Sequence, residues 1–331
     1  MKIAIALLLS LSLSSTLALA AQEKTPAAAQ RPTPTSQERA KPWVADALQI
    51  GDVKKREAAI ETIRAAIKST DAAEALAGLF AFNQIHDVDF DKKSFRDVVL
   101  PHLADKDSSA RLSAMYALNL AGRESGDLER VLAAVDGVQG PERPRLVHVI
   151  SLFTGGDLSG KGSETVLSLI SGDDPRELRQ SLSGLWGTKV SPAIEQRLLA
   201  LANGKDPGLA HDGIYFGLST LKDKSEPVID RLIAALADPD SNNSGRALWG
   251  LGQGVVPALE PKVADAMLQL FEARGDSQSR SSSLRLLQQY GSERHAKALD
   301  EIAAKPAIAA ELATQVRETA AAIRARTPLK K

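Results

Sequence analysis

The sequence predicts an all-α protein, an α-α superhelix of about seven stacked helical hairpins, and three observations carry that expectation. An Asp stands ahead of a short apolar-patterned helix at Asp52, Asp107, Asp174, Asp206, Asp240 and Asp276, with Pro141 where the series would otherwise lapse. From 107 onward the steps are 34, 33, 32, 34 and 36 residues, a period that belongs to stacked helical pairs. The eighth residue after each of these positions is apolar: Ile60, Met115, Val149, Leu182, Ile214, Leu248 and Leu284. The eleventh is apolar too (Ile63, Leu118, Leu152, Leu185, Leu251, Leu287), except Gly217, which has Leu218 beside it. A spacing of three puts both side chains on one helix face, the buried stripe. A second set of apolar residues recurs eight positions upstream: Val99, Ala133, Val166, Leu198, Leu232 and Leu268. Each period therefore holds two amphipathic helices, which cannot bury their faces without neighbouring pairs.

Taken in order, Met1-Lys2, the apolar run Ile3 to Leu9 and the exit Ala18-Leu19-Ala20 read as a cleaved secretory signal over residues 1–20. The apolar run is short and is followed by serines, which disfavours a retained membrane span. The chain has no cysteine, so neither a lipidated N-terminal Cys nor a disulfide is expected, and an exported chain must rest on its core alone. Residues 21–41, rich in Ala, Pro, Gln, Thr and Ser, lack the apolar content that offsets ordering entropy and read as a disordered tether. Residues 42–325 carry the repeats, and 326–331 form a basic tail. Charges balance at 41 basic against 41 acidic. Nucleic acid, whose binding rests on phosphate neutralisation, is not expected as a partner.

Each repeat has local reasons. The leading Asp can accept hydrogen bonds from the first backbone N–H groups of its helix and suits the positive end of the dipole. The seventh residue is usually small (Ala59, Ala114, Ser181, Gly213, Ala247, Ser283), which would let helices approach closely. Four residues after the anchor, Arg56, Arg111, Arg145 and Arg280 recur, placed to bridge to acidic groups of adjacent turns. The 55-residue step from Asp52 to Asp107 is irregular and holds an extra helix near 72–84. Ala-rich residues 307–325 should close the stack.

The run from Leu236-Ala237-Asp238-Pro239-Asp240 into Arg246-Ala247-Leu248-Trp249-Gly250-Leu251-Gly252 resembles the inter-helix turn and second helix of the HEAT-repeat family. So does Leu103-Ala104-Asp105-Lys106-Asp107 leading to Arg111-Leu112-Ser113-Ala114-Met115-Tyr116-Ala117-Leu118. The resemblance covers about residues 43 to 325, with Pro141 in place of the Asp and Leu178, Ala210 and Ser244 in place of the Arg. It implies a fold and no chemistry, with second helices lining the concave surface.

Four short motifs compete with this reading. Gly155-Gly156-Asp157-Leu158-Ser159-Gly160-Lys161-Gly162-Ser163 nearly fits a phosphate loop, but Gly162 stands where a magnesium-binding hydroxyl belongs and Val147 to Phe153 is in helical register; Ser163 is expected to cap the next helix. Asp87, Asp89 and Asp91 alternate like a calcium loop, yet Lys92 and Val98 replace the Gly and Glu that such a loop needs. They are weak metal candidates, and no metal or other cofactor is expected. Ser219-Thr220-Leu221-Lys222 matches a Ser-x-x-Lys nucleophile without its companion Lys-Thr-Gly. Asn242-Asn243-Ser244 is formally a glycosylation acceptor in polar turn chemistry. No catalytic residues are assigned.

The ninth residue after the anchor lies opposite the buried stripe, and it is Tyr116, Tyr215 and Trp249 in three repeats. Trp186 and Phe153 fall one turn further along, and His211 one turn before Tyr215. Tyr116, Trp186, His211, Tyr215 and Trp249 are the candidate binding residues, a stripe suited to recognition or to packing between repeats. The expected function is an exported, monomeric, non-catalytic scaffold that binds a protein or peptide on its concave face. An envelope enzyme or enzyme accessory, and a carbohydrate-binding module using the stripe, stay open as alternatives.

Overall fold

The computed structural model describes residues 34–49, 51–238 and 241–326. The expected signal, all but the end of the expected tether, Asp240 and residues 327–331 of the tail lie outside the described residues. Ser36 to Lys41, assigned above to the tether, instead begin α1 (Ser36–Ala47). Ala40, Val44 and Ala47 repeat at helical spacing and are buried, and Ser36 Oγ donates to Ala73 O at 3.2 Å. The Pro-rich composition hid this stripe because Pro42 sits within the helix.

Hairpins follow one another without interruption. The first pairs α2 (Val53–Ile67) with α3 (Ala72–Gln84). In the second, a broken helix of Lys92–Phe95, α4 (Arg96–Val99) and Leu100–Ala104 precedes α5 (Ser108–Leu120). The third joins α6 (Asp127–Ala134) to a 3-10 turn, Gly140–Arg145, that runs into α7 (Leu146–Thr154). α8 (Ser163–Leu169) and α9 (Pro175–Ser183) make the fourth. The fifth sets α10 (Pro192–Ala202) against α11 (Pro207–Asp212), which continues as a π turn, Gly213–Gly217, and a 3-10 turn, Leu218–Thr220. The last three are α12 (Glu226–Ala235) with α13 (Ser241–Leu251), α14 (Glu260–Ala273) with α15 (Ser277–Tyr290), and α16 (Glu293–Ala303) with α17 (Ala310–Ala325).

The capping expectation holds at every described Asp of the series. Asp52, Asp107, Asp174, Asp206 and Asp276 each accept from a backbone N–H two or three residues on. The 55-residue irregularity is a matter of assignment. Asp71 caps α3 through Ala73 N and Glu74 N, and its seventh, eighth and eleventh followers are Gly78, Leu79 and Phe82, the latter two fully buried. Asp71, 36 residues before Asp107, is therefore the true anchor, and Asp52 caps the first helix of the same hairpin. Restoring Asp71 keeps the period through the N-terminal end.

Two local departures have equally plain causes. Ala133 is exposed, and Val131 takes its buried place, because the third turn starts from Gln139, two residues before Pro141 and without a side-chain cap. Gly217 misses the stripe because the π turn inserts one residue, which carries Leu218 into the core. The expected acidic partners of the recurring arginines are mostly backbone carbonyls instead. Arg111 donates through Nε and Nη2 to Asp105 O at 2.9 and 2.6 Å, and Arg280 Nε to Arg274 O at 2.9 Å; Arg145 does pair with Glu142. Carbonyls at helix ends lack intrahelical partners, so Arg111 and Arg280 each tie down the turn that precedes their helix.

One feature was absent from the sequence reading. The loops that leave successive second helices pair as a parallel backbone ladder. β1 (Asp157–Leu158) lies beside β2 (Lys189–Val190), Lys222 N donates to Thr188 O at 2.8 Å, and Lys224 N donates to Gly254 O at 3.1 Å. This ladder ties the third to sixth hairpins together along one edge.

Candidate functional site

The ladder and the second helices of the fourth to sixth hairpins bring four of the five candidate binding residues together. Trp186 follows α9, His211 is the last but one residue of α11, Tyr215 lies in the π turn, and Trp249 is in the last turn of α13. The Trp186 and Trp249 rings are 5.0 Å apart, tilted by 44°. His211 stacks on Tyr215 at 5.3 Å, and its Nδ1 donates to Asn243 Oδ1 at 2.6 Å. Asn243 in turn donates to Asp238, so this residue of the formal glycosylation motif is a buried strut between hairpins. Tyr116 does not join. It lies beside His148 at 5.9 Å, in the second and third hairpins, and burial pushes its hydroxyl up to about 12.

At the centre of the cluster is a residue that the sequence reading did not assign, Arg246. Its guanidinium carbon lies 4.0 Å from the Trp249 ring centre, 4.6 Å from Tyr215 and 4.8 Å from Trp186. Rings on three sides attract a cation through their electron-rich faces. Nε donates to Tyr215 O and Ser219 Oγ, both at 3.0 Å. Nη2 is buried without a hydrogen-bond partner. Arg246 has no carboxylate partner among the described residues, and burial draws its pKa below the usual guanidinium value. The π turn supports this arrangement, since Ser219 Oγ also donates to Tyr215 O at 2.8 Å. Periodicity could not single out Arg246, because it falls at the sixth position after Asp240, where no other repeat has Arg.

A second cation lies close by. Lys224 is almost wholly buried, with Nζ donating to Leu221 O at 2.6 Å and Gln253 O at 2.7 Å. Burial first, then the charge of Arg246, brings its pKa down to about 8, and Asp223 opposes this. Asp223 itself has φ 53, a left-handed conformation that is uncommon outside glycine.

The competing motifs resolve into structure. Val147 to Phe153 lies within helix α7. Gly156 O accepts from Lys189 N at 2.8 Å, and Lys161 pairs with Glu129. Ser163 does not cap α8 with its side chain; Gly162, at φ 89, holds the cap position, and Ser163 Oγ donates to Ser191 Oγ at 2.5 Å. Asp91 caps the turn Lys92–Phe95, and Asp87 faces His86 at 3.2 Å. Among the described residues no group of three or more His, Asp or Glu is arranged to hold a metal, and no helix is long and apolar enough to cross a membrane.

No family model matches the sequence, and no curated protein does. Among solved structures, the chain is similar to an engineered protein from the Northeast Structural Genomics Consortium at 15% identity and TM-score 0.46, covering 88% of this chain and 85% of that one. It is also similar to the archaeal HEAT-like repeats protein from Thermococcus onnurineus NA1, at 17% identity and TM-score 0.33, covering 79% and 100%. A second engineered protein from the same consortium shows 15% identity and TM-score 0.24, covering 86% and 96%. No chemistry follows from these likenesses. From its own hairpins and caps, the chain is all-α, built of successive helical hairpins whose second helices stack.

Proposed function

We propose that this chain is a non-catalytic scaffold that binds a protein or peptide on the second-helix face of its fourth to sixth hairpins. The observation that carries the reading is Trp186, which is 48% exposed yet fixed against Arg246 and Trp249 by side chains from another hairpin. A large ring held rigidly at the surface gives contact area at little entropic cost, which is how aromatic anchors dominate recognition. Stacked hairpins supply the extended surface around it. Export through the N-terminal signal is part of the proposal and rests on residues 1–20 of the sequence alone.

The test is affinity capture from the envelope fraction of the native host, with mass spectrometry. It compares the chain with a Trp186→Ala/Trp249→Ala variant and with Tyr116→Ala, each shown by circular dichroism to keep its helix content. A partner lost with the double variant and kept with Tyr116→Ala is the expected result. Equal capture by all three would remove this face as the site.

A further inference from the structure

Among the described residues, Arg246 is set apart from the other arginines by a terminal nitrogen that is buried without a partner. Arg96 forks onto Asp127. Arg111, Arg197, Arg231 and Arg274 donate from theirs to carbonyl oxygens. Among the described residues the hydrogen bonds of Arg246 all come from Nε, while Nη2 is buried without a partner. A guanidinium carries five N–H donors, and its two terminal nitrogens match the two oxygens of a carboxylate. Buried donors left without acceptors are costly, and low dielectric strengthens whatever acceptor reaches them. Arg246 itself is only partly buried, and Trp186, one of the three rings on its guanidinium, is half-exposed, so this part of the cluster is open to a ligand.

The surrounding loop segments carry more lysines than acids. Lys224 is a second buried cation whose hydrogen bonds go to carbonyls. Lys189 and Lys222 are exposed on the ladder loops, where Lys222 N bonds to Thr188 O next to Lys189. Asp157 and Asp223 are the acids of these same loop segments. Asp157 accepts from Ser159 and also faces Lys189 and Lys222, and Asp223 is exposed beside Lys224.

Resting on the peptide-binding reading above, we infer that the ligand is an acidic peptide segment. One Asp or Glu side chain would be bound by the Arg246 guanidinium beside Trp186, with further acidic residues along Lys222 and Lys189. The row of cations along the ladder favours a segment with several acidic side chains over a single chain-terminal carboxylate. Trp186 would cover the bound carboxylate and keep water from it, as rings around a hot spot do.

The test is selection from a random twelve-residue peptide display library on the full chain. Titration of selected peptides against Arg246→Gln, Arg246→Lys and Lys189→Glu/Lys222→Glu then follows. Enrichment in Asp and Glu is expected, with affinity falling about ten- to hundredfold in Arg246→Gln, the loss of a charge-assisted hydrogen bond. Arg246→Lys should recover part of that loss. The exposed charge reversals, which leave the core untouched, should weaken binding most at low salt. Selected peptides without acidic enrichment, or acidic peptides that bind Arg246→Gln and the charge reversals as well as they bind the unaltered chain, would overturn the inference and leave the scaffold reading standing. Enrichment confined to the peptides' terminal carboxylate would likewise replace it. Failure to select any peptide would remove both.

Discussion

In the N-terminal hairpins, Arg64 lies 4.5 Å over the Phe95 ring, which stacks on Phe82 at 4.4 Å. Its terminal nitrogens are taken by Ser94, and Glu61 supplies a counter-charge. Close by, Arg96 forks onto buried Asp127, with Glu124 and Arg130 completing the network. In the middle hairpins, Arg246 also lies over rings, three of them, but no carboxylate answers its charge among the described residues. Both regions use the same ingredients, an arginine and aromatic side chains at a junction between hairpins. The first answers its arginine charges with carboxylates from within, although Arg64 Nε is buried without a hydrogen bond. The second leaves a cation and a half-exposed indole at the surface. What separates a structural junction from a candidate site is therefore the carboxylate that answers the guanidinium, since both regions have aromatic rings and each has one arginine nitrogen buried without a partner.

The comparison can be broken most sharply by deleting a polar partner in each region. Asp127→Ala strands Arg96 as a buried charge and should cost about 3–5 kcal/mol of stability. Arg246→Gln leaves no charge behind and should cost no more than about 1–2 kcal/mol. Urea unfolding of both variants measures this; equal losses would mean that Arg246 is as much a structural keystone as Asp127.

Next in size is a pH effect confined to the middle region. The Lys224 pKa falls from 10.5 to about 8 in the folded chain, so between these values the unfolded chain holds a proton that the folded one has released. Stability then rises with pH above about 8, by up to about 3 kcal/mol on completion near 10.5, and Lys224 contributes no pH dependence below its folded value. Burial raises Tyr116 and Tyr290, which lowers stability as the unfolded chain's tyrosines ionise near pH 10, so the useful window is about pH 8 to 9.5. Unfolding free energies of the unaltered chain should climb there relative to Lys224→Met. Parallel curves would show that Lys224 keeps its proton.

The smallest effect should be common to both regions. A methyl at Gly78 would stand 2.7 Å from Ile67 N, and one at Gly213 would stand 2.8 Å from Ala202 N. Both meet backbone, which cannot swing aside, so Gly78→Ala and Gly213→Ala should each cost about 1–3 kcal/mol. A much smaller loss at Gly213 would mean that the π turn makes the fifth hairpin more yielding than the first.

Much of the architecture was legible because it depends on contacts close in sequence. The Asp caps act over two or three residues, and the buried stripe acts over one turn, so each left a periodic trace. Where the trace misled, a local shift was responsible: Asp52 stood in for Asp71, Pro141 for Gln139, and one inserted residue displaced Gly217. Four of the five stripe residues do meet, because equal positions in stacked repeats face the same way. Tyr116 is two hairpins too early to reach them. Arg246 was invisible for a different reason, since it has no periodic counterpart and acquires its meaning from rings that three hairpins supply.

The sequence by itself determined the helical hairpin, its period, its caps and its buried stripe, because these follow from hydrogen bonds and apolar spacing within some thirty-odd residues. Only the tertiary structure decided which second-helix side chains converge, which arginines are answered and which edge the loops knit into a ladder. Those outcomes depend on side chains about 30 to 60 residues apart in sequence being brought within a few ångströms, and stacking geometry, which no local pattern encodes, sets those distances.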